Sequence, residues 1–187
     1  IGTELCKLYS GVSWNNTITV IDNMFISERV NQIRNWNMQF VHGDILDKNL
    51  IKKYCQDADI VHHLAGITEV PRTISESNES QDNKIKTVAK EGTQNILDVI
   101  SDKCKIIFPS THVVYEGITE VKNNILENDK VKPILSYANS KAINEEQLKK
   151  SGKNYIILRL GSVYGYSTDT ARIDIMPNLF SKIASQD

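Results

Sequence analysis

Residues 106–111 read Ile106-Ile107-Phe108-Pro109-Ser110-Thr111, and residues 137–141 read Tyr137-Ala138-Asn139-Ser140-Lys141. The first stretch is a buried strand that delivers a hydroxyl at its C-terminal end. The second opens a helix that carries a phenol and an ammonium four residues apart, and therefore on one face. A lysine beside a tyrosine favours the phenolate, and a phenolate poised near neutrality serves as a general base towards an alcohol. In a Lys-rich chain with seven Tyr the spacing alone carries little weight. Its position relative to the rest of the chain carries more.

Upstream and downstream, short apolar runs alternate with helical patterns. Helices are expected over Ile1–Ser10, from the Asp47 cap to about Tyr54, over Asn83–Ile100, from Tyr137, and over Ile173–Ser185. Strands are expected at Thr17–Ile21, Met38–Val41, Asp59–Leu64, from Ile106, and at Tyr155–Leu160. Strands of five or six apolar residues between helices predict an α/β fold with a doubly wound parallel sheet covered on both faces. Ligands bind such sheets at the carboxyl ends of the strands. The residues of interest gather there: Asp22, Asp44, Ala65-Gly66, Ser110-Thr111 and Gly161-Ser162.

Each has two readings. Asp22 closes a strand 20 residues after Gly2, the spacing of a ribose-binding acid that favours NAD over NADP, or it is a turn aspartate. Asp44 bonds an adenine amino group or caps a helix. Ala65-Gly66 admits a pyrophosphate to bare backbone, or is a tight turn. Ser110 and Thr111 bond a substrate oxygen or cap the next turn. His112 donates to a sugar or diphosphate, or is a solvent-facing loop residue. Arg72 and Arg159 meet a diphosphate, Arg159 with a structural ion pair as its stronger reading. His62 and His63 point to opposite faces of their strand, so packing outweighs chelation and no metal site is expected.

Composition narrows the class. With 40% hydrophobic residues and a formal net charge of -1, the chain reads as an ordinary soluble globular domain, giving no support for nucleic-acid or membrane partners. Cys6, Cys55 and Cys104 have no paired spacing, as free thiols in a cytoplasmic protein would. The chain starts at Ile1 without a methionine and stops inside an apparent helix. A fragment lacking its first strand and most of a C-terminal substrate domain is therefore expected.

The order of parts is specific. It runs from the acid-ended strand and Gly43-Asp44 through Leu64-Ala65-Gly66, Glu91-Gly92-Thr93-Gln94-Asn95 and Ser110-Thr111 with Val114-Tyr115 beyond. Tyr137-x-x-x-Lys141, Leu158-Arg159 and Val163-Tyr164-Gly165 follow. It resembles the extended short-chain dehydrogenase/reductase family, in particular its NAD-dependent nucleotide-sugar epimerases and dehydratases. The resemblance implies a Rossmann-like NAD-binding domain over residues 1–166 and the start of a substrate-binding domain over 167–187. It implies NAD held by Gly2, Asp22, Asn23, Asp44, Ile45, Leu64, Ala65, Gly66, Ser110, Tyr137 and Lys141. Thr111, Tyr137 and Lys141 would be catalytic, and Thr111, His112 and Ser162 would contact a nucleotide-sugar. Tyr137 would take the sugar's C4 proton while hydride passes to NAD, and return of the hydride to a rotated 4-keto sugar gives an epimer. The helices at 83–100 and 137–150 match the family's dimer helices, so a homodimer is implied.

Three positions depart from the pattern. Dehydratases and related decarboxylases carry a glutamate two residues after the Thr; here it is Val113, which cannot transfer a proton. The usual Asn three residues before the Gly-Thr pair is Ala89, and the usual Asn after the last strand is Ser162. Epimerisation, or simple oxidation and reduction, is thereby placed ahead of dehydration. A non-catalytic dinucleotide-binding protein is the rival from another class.

Overall fold

The computed structural model describes residues 1–12, 16–68, 78–167, 169, 173 and 175–186. They form two compact units, one of Ile1–His42 with Gly161–Asp187 and one of Gly43–Leu160. The expected parallel α/β architecture is present. Its strands form a two-stranded and a three-stranded parallel sheet, and among the described residues no strand joins the two.

In the first unit α1 (Gly2–Ser10), β1 (Thr19–Asp22), α2 (Ser27–Asn35) and β2 (Gln39–His42) are followed, late in the chain, by α6 (Met176–Ala184). β1 and β2 pair in parallel from Thr19 opposite Gln39 to Asp22 opposite His42. Cys6, Ile33 and Met38 form the core, with Tyr9, Ile18, Val20, Trp36 and Phe40 packed on it. α2 has no counterpart in the sequence reading. Only Val30 and Ile33 of its nine residues are buried, too narrow a stripe for periodicity to stand out. It ends where Asn37 turns left-handed at φ 58°, with Asn37 N–H on Arg34 O and Met38 N–H on Ile33 O. That pair of bonds closes a helix and aims the chain back into β2.

The second unit holds α3 (Lys48–Cys55), β3 (Ile60–His62), α4 (Glu79–Val99), β4 (Lys105–Thr111), a 3-10 turn (His112–Tyr115), α5 (Ser136–Lys150) and β5 (Asn154–Leu160). Asp47 caps α3 as expected, accepting from Asn49 N and Leu50 N at 3.0 Å. β4 is central, flanked by β3 and β5. Ile106, Phe108 and Ser110 alternate along β4 and are buried, α5 packs on β4, and α4 packs on α5. At Gly92 of α4 a Cβ would come 2.8 Å from Ile45 Cγ2, so only glycine lets that helix approach.

A proline in a central strand looks misplaced, because it breaks the ladder. The register explains it. β3 makes its last pairing at His62 opposite Ile107, and Ile107 O accepts His63 N, so Ile107 and Pro109 turn their backbone groups to the β3 side. Pro109 lies beyond the end of β3, where no N–H is needed and its carbonyl is left for another donor. The strand consequently runs on to Thr111, paired with Leu160 of β5.

One ion pair fastens this unit. Glu145 of α5, 2% exposed, accepts Ser110 Oγ at 2.6 Å and Arg159 Nε at 2.9 Å on Oε1, and Arg159 Nη2 at 2.6 Å on Oε2. The guanidinium continues over the Tyr115 ring, 5.0 Å from its centroid, and donates to Glu127 O at 2.9 Å. Burial pushes the Glu145 carboxyl up, but the bonds from Arg159 and Ser110 outweigh it and hold the group below its ordinary value. Removing one partner of such a pair strands a desolvated charge. Arg159→Met is therefore expected to cost about 3–5 kcal/mol of unfolding free energy in a denaturant titration, and a loss under about 1 kcal/mol would contradict this reading.

Candidate active site

The strand that ends at Thr111 and the helix that begins at Ser136 bring the expected catalytic residues into the same unit. Thr111 is buried and precedes the 3-10 turn, with its Oγ1 accepting Val113 N at 3.3 Å. Tyr137 stands in the first turn of α5, Lys141 one turn later and Glu145 a turn beyond that, so the three share a stripe. Glu145 binds Ser110, which fixes the stripe against the end of β4.

Lys141 is buried with 9% exposure. Its Nζ donates to the free carbonyl of Pro109 at 3.0 Å. The ammonium also lies 4.6 Å from the Phe108 ring centroid and 5.8 Å from that of Tyr137, both within the range of favourable cation–π contact. Burial pulls its pKa down to about 8. A cation beside a phenol at a helix N-terminus favours the ionised phenol, because both the charge and the backbone dipoles attract an anion.

A buried polar chain sits behind Lys141. His63 Nε2 lies 2.8 Å from Thr93 Oγ1, which accepts Asn144 Nδ2 at 2.7 Å, and the same amide donates to Ala89 O at 2.8 Å. Asn144 thus reaches from α5 to position 89 of α4, where an Asn had been expected from the resemblance. Burial, and next the charge of Lys141, hold the His63 pKa near 3, so this ring is neutral at physiological pH.

The other expected residues are placed as follows. In the second unit Asp44 Oδ1 accepts Leu46 N at 2.9 Å, Ile45 O accepts Asn95 Nδ2 at 3.1 Å, and Leu64 N donates to His62 O at 3.0 Å. Ala65 and Gly66 are exposed, and a Cβ at Gly66 would meet nothing within 4 Å. The Ser110 hydroxyl, expected at the cofactor, is given to Glu145 on the face of β4 turned towards α5. His112 donates from Nδ1 to Leu160 O at 3.1 Å, which leaves Nε2 as its outward nitrogen. In the first unit Gly2 starts α1, Asp22 Oδ1 accepts Met24 N at 2.8 Å, Asn23 O lies 3.0 Å from His42 Nε2, and Ser162 is exposed after β5. Arg72 lies outside the described residues, and Arg159 makes the structural ion pair. Among the described residues no cluster of His, Cys, Asp or Glu is fit to hold a metal, and no helix is long and apolar enough to cross a membrane. The three cysteines are buried and free.

The sequence reading missed Glu145, the Pro109 carbonyl and the Asn144 bridge. Glu145 had one signal, its position four residues after Lys141; the others depend on register. The depressed lysine has a measurable consequence. Its folded pKa of about 8 lies below the unfolded value near 10.4, so the unfolded chain holds more protons between the two. The stability it contributes is full above the unfolded value and is lost as pH falls through about 8. Relative to Lys141→Met, the unmodified protein should gain about 3 kcal/mol of unfolding free energy from pH 8 to pH 10.5; parallel stability curves would contradict the burial argument.

The model of the NAD dependent epimerase/dehydratase family matches residues 1–187. The chain is 32% identical over 165 residues to a putative UDP-glucose 4-epimerase of Methanocaldococcus jannaschii, covering 83% of this chain and 50% of that protein. It is 39% identical over 98 residues to CDP-paratose 2-epimerase of Salmonella typhi, covering 49% of this chain and 27% of that protein. Its fold is similar to that of UDP-glucuronic acid 4-epimerase from Bacillus cereus in complex with NAD, with a TM-score of 0.73 at 24% identity over 100% of this chain and 60% of that one. It is also similar to UDP-glucose 4-epimerase from Brucella ovis in complex with NAD, with a TM-score of 0.70 at 26% identity over 90% and 50%. The chain spans half or less of the length of these two curated relatives. With the family model matched along its whole length, and with the strand-end hydroxyl and the Tyr-Lys helix in the same unit, this chain belongs to the NAD-dependent epimerase/dehydratase family.

Proposed function

We propose that this chain forms the cofactor-binding part of a nucleoside-diphosphate-sugar epimerase that works through a transient 4-keto sugar. The observation that carries the reading is Lys141: a buried ammonium held on Pro109 O at 3.0 Å and 5.8 Å from the Tyr137 ring centroid. Burying an ammonium is costly unless it is hydrogen-bonded and paired, and here it is held on Pro109 O beside the phenol in the first turn of α5.

The residues fit NAD. Lys141 has three donors, and Pro109 takes one of them; Ala65 and Gly66 are exposed, and a Cβ at Gly66 would meet nothing within 4 Å. In the second unit Lys141, Tyr137, Asp44, Ile45, Leu64, Ala65 and Gly66 would hold the cofactor. When bound, the nicotinamide supplies a reversible hydride acceptor. The chain's own work is proton handling and orientation. Tyr137 removes the proton from the sugar's C4 hydroxyl and later returns it, Thr111 bonds the same oxygen, and Lys141 keeps the phenol near its ionised form. Thr111 Oγ1 already accepts Val113 N, which leaves its hydrogen free to be given to that oxygen.

Val113 separates this reading from dehydration. Its side chain has no titratable group at the position where the dehydratases of the family carry an acid. In the second unit His112 is a candidate for a sugar contact.

The test is turnover by the full-length protein of UDP-, GDP-, CDP- and dTDP-sugars in the presence of NAD. One of them should yield its epimer without accumulation of a free 4-keto product. Tyr137→Phe should lower kcat by about 10²- to 10⁴-fold while NAD still binds. Full turnover by that variant would remove the tyrosine from the chemistry, and a 4-keto product would move the protein to another activity of the family.

A further inference from the structure

The helix that carries Tyr137 begins without the devices that normally secure a helix start. Leu135 occupies the cap position and offers no side-chain acceptor, and the first turn contains no acidic residue. Helix-start amides need a partner from somewhere. Two amides entering α5 find theirs far upstream. Glu116 Oε1 accepts Ile134 N at 2.6 Å and Leu135 N at 2.7 Å, across 18 and 19 residues of chain.

Glu116 is placed for this by the turn it closes. Its own N–H bonds Val113 O at 3.1 Å, so it ends the 3-10 turn that starts directly after Thr111. Two further backbone bonds lay the segments side by side, Lys132 N to Val114 O and Gly117 N to Lys132 O, each 2.8 Å. Contact there is so close that a Cβ on Gly117 would stand 2.5 Å from Lys132 O. A second carboxylate holds the same helix end from α4, where Asp82 Oδ1 accepts the Ser136 hydroxyl. Glu116 also lines an open cleft with His112, Val113, Tyr115 and Ile125.

From this geometry we propose that Glu116 is a positioning residue, an anchor for Ile134 and Leu135, the two residues that lead into α5, and so sets the Tyr137 oxygen relative to Thr111. The inference rests on the proposed function, in which those two groups act on one substrate oxygen. A carboxylate on amides that lead into a helix N-terminus is favoured by charge as well as by hydrogen bonding. It links Glu116 to Ile134, 18 residues further on, within the loop that runs from the strand-end hydroxyl to the helix start. Without it the first turn frays, and the reacting geometry is lost while the buried end of α5, pinned by Glu145 and Asn144, stays folded.

The experiment compares Glu116→Ala and Glu116→Gln in the full-length protein, well below the melting temperature of each. Glu116→Ala should lower kcat by about tenfold or more with KM and NAD affinity changed by less than about twofold. Glu116→Gln, which keeps an acceptor oxygen, should recover most of that loss. Hydrogen exchange gives a readout independent of activity: the Ile134 and Leu135 amides should lose protection in the alanine variant and keep it in the glutamine variant. Unchanged kcat in Glu116→Ala overturns the proposal, as does no recovery by glutamine, or a joint loss of kcat, KM and NAD binding that marks general unfolding. Failure of the functional reading looks different. The unmodified protein then turns over no nucleotide-sugar, or Tyr137→Phe matches it, while the two amides still open in Glu116→Ala.

Discussion

The Glu145 carboxylate, almost without access to water, holds the end of β4 against the middle of α5, and the rest of the candidate site follows from that bond. Ser110 donates to it from the strand and Arg159 grips it from β5. Alone, a buried carboxylate destabilises a fold by several kcal/mol, and its pairing recovers that only with good geometry. Three strong bonds on two oxygens supply the geometry. Anchoring Ser110 to α5 fixes the end of β4, where Thr111 is the next and last residue. Because α5 repeats every 3.6 residues, anchoring Glu145 sets Lys141 and Tyr137 on the same stripe. One interaction thereby fixes both the end of the strand and the rotation of the helix.

Lys141 shows the same logic at higher electrostatic cost. Its ammonium is desolvated, which lowers its affinity for a proton, and it is compensated by one carbonyl and two aromatic faces. The carbonyl is free because β3 ends at His62, and the proline that carries it has no N–H to leave unsatisfied. Strand length, proline placement and lysine position are therefore one arrangement. The neutral His63 behind it, joined through Thr93 to Asn144, adds no charge to a site that already holds a cation.

Most of the elements were legible in the sequence because the second unit obeys its periodicities. Ile106 to Phe108 and Tyr155 to Leu160 are long apolar runs, Asp47 caps the helix it precedes, and Arg159 forms the structural pair its position suggested. α2 was not legible, since two buried residues among nine leave no clear stripe. The parallel α/β architecture was expected and is present, whereas the pairing of the described strands as two and three was not legible, because pairing partners are a property of the assembled backbone and not of any one run. Ser110 and Thr111 looked equivalent as neighbouring hydroxyls; one is given to Glu145 and the other caps the next turn. Glu116 gave no signal at all. Its partners are backbone amides 18 and 19 residues away, and nothing in composition or spacing marks a residue that anchors the approach to a distant helix.

If the Ser110–Glu145 bond is the joint on which strand and helix depend, its energy should appear as coupling and not merely as two separate losses. A double-mutant cycle with Ser110→Ala and Glu145→Gln, followed by denaturant unfolding, measures that coupling directly. The account predicts a coupling energy of about 1–3 kcal/mol, the range for a buried hydrogen bond to a charged group. Additivity of the two losses to within about 0.5 kcal/mol would contradict it.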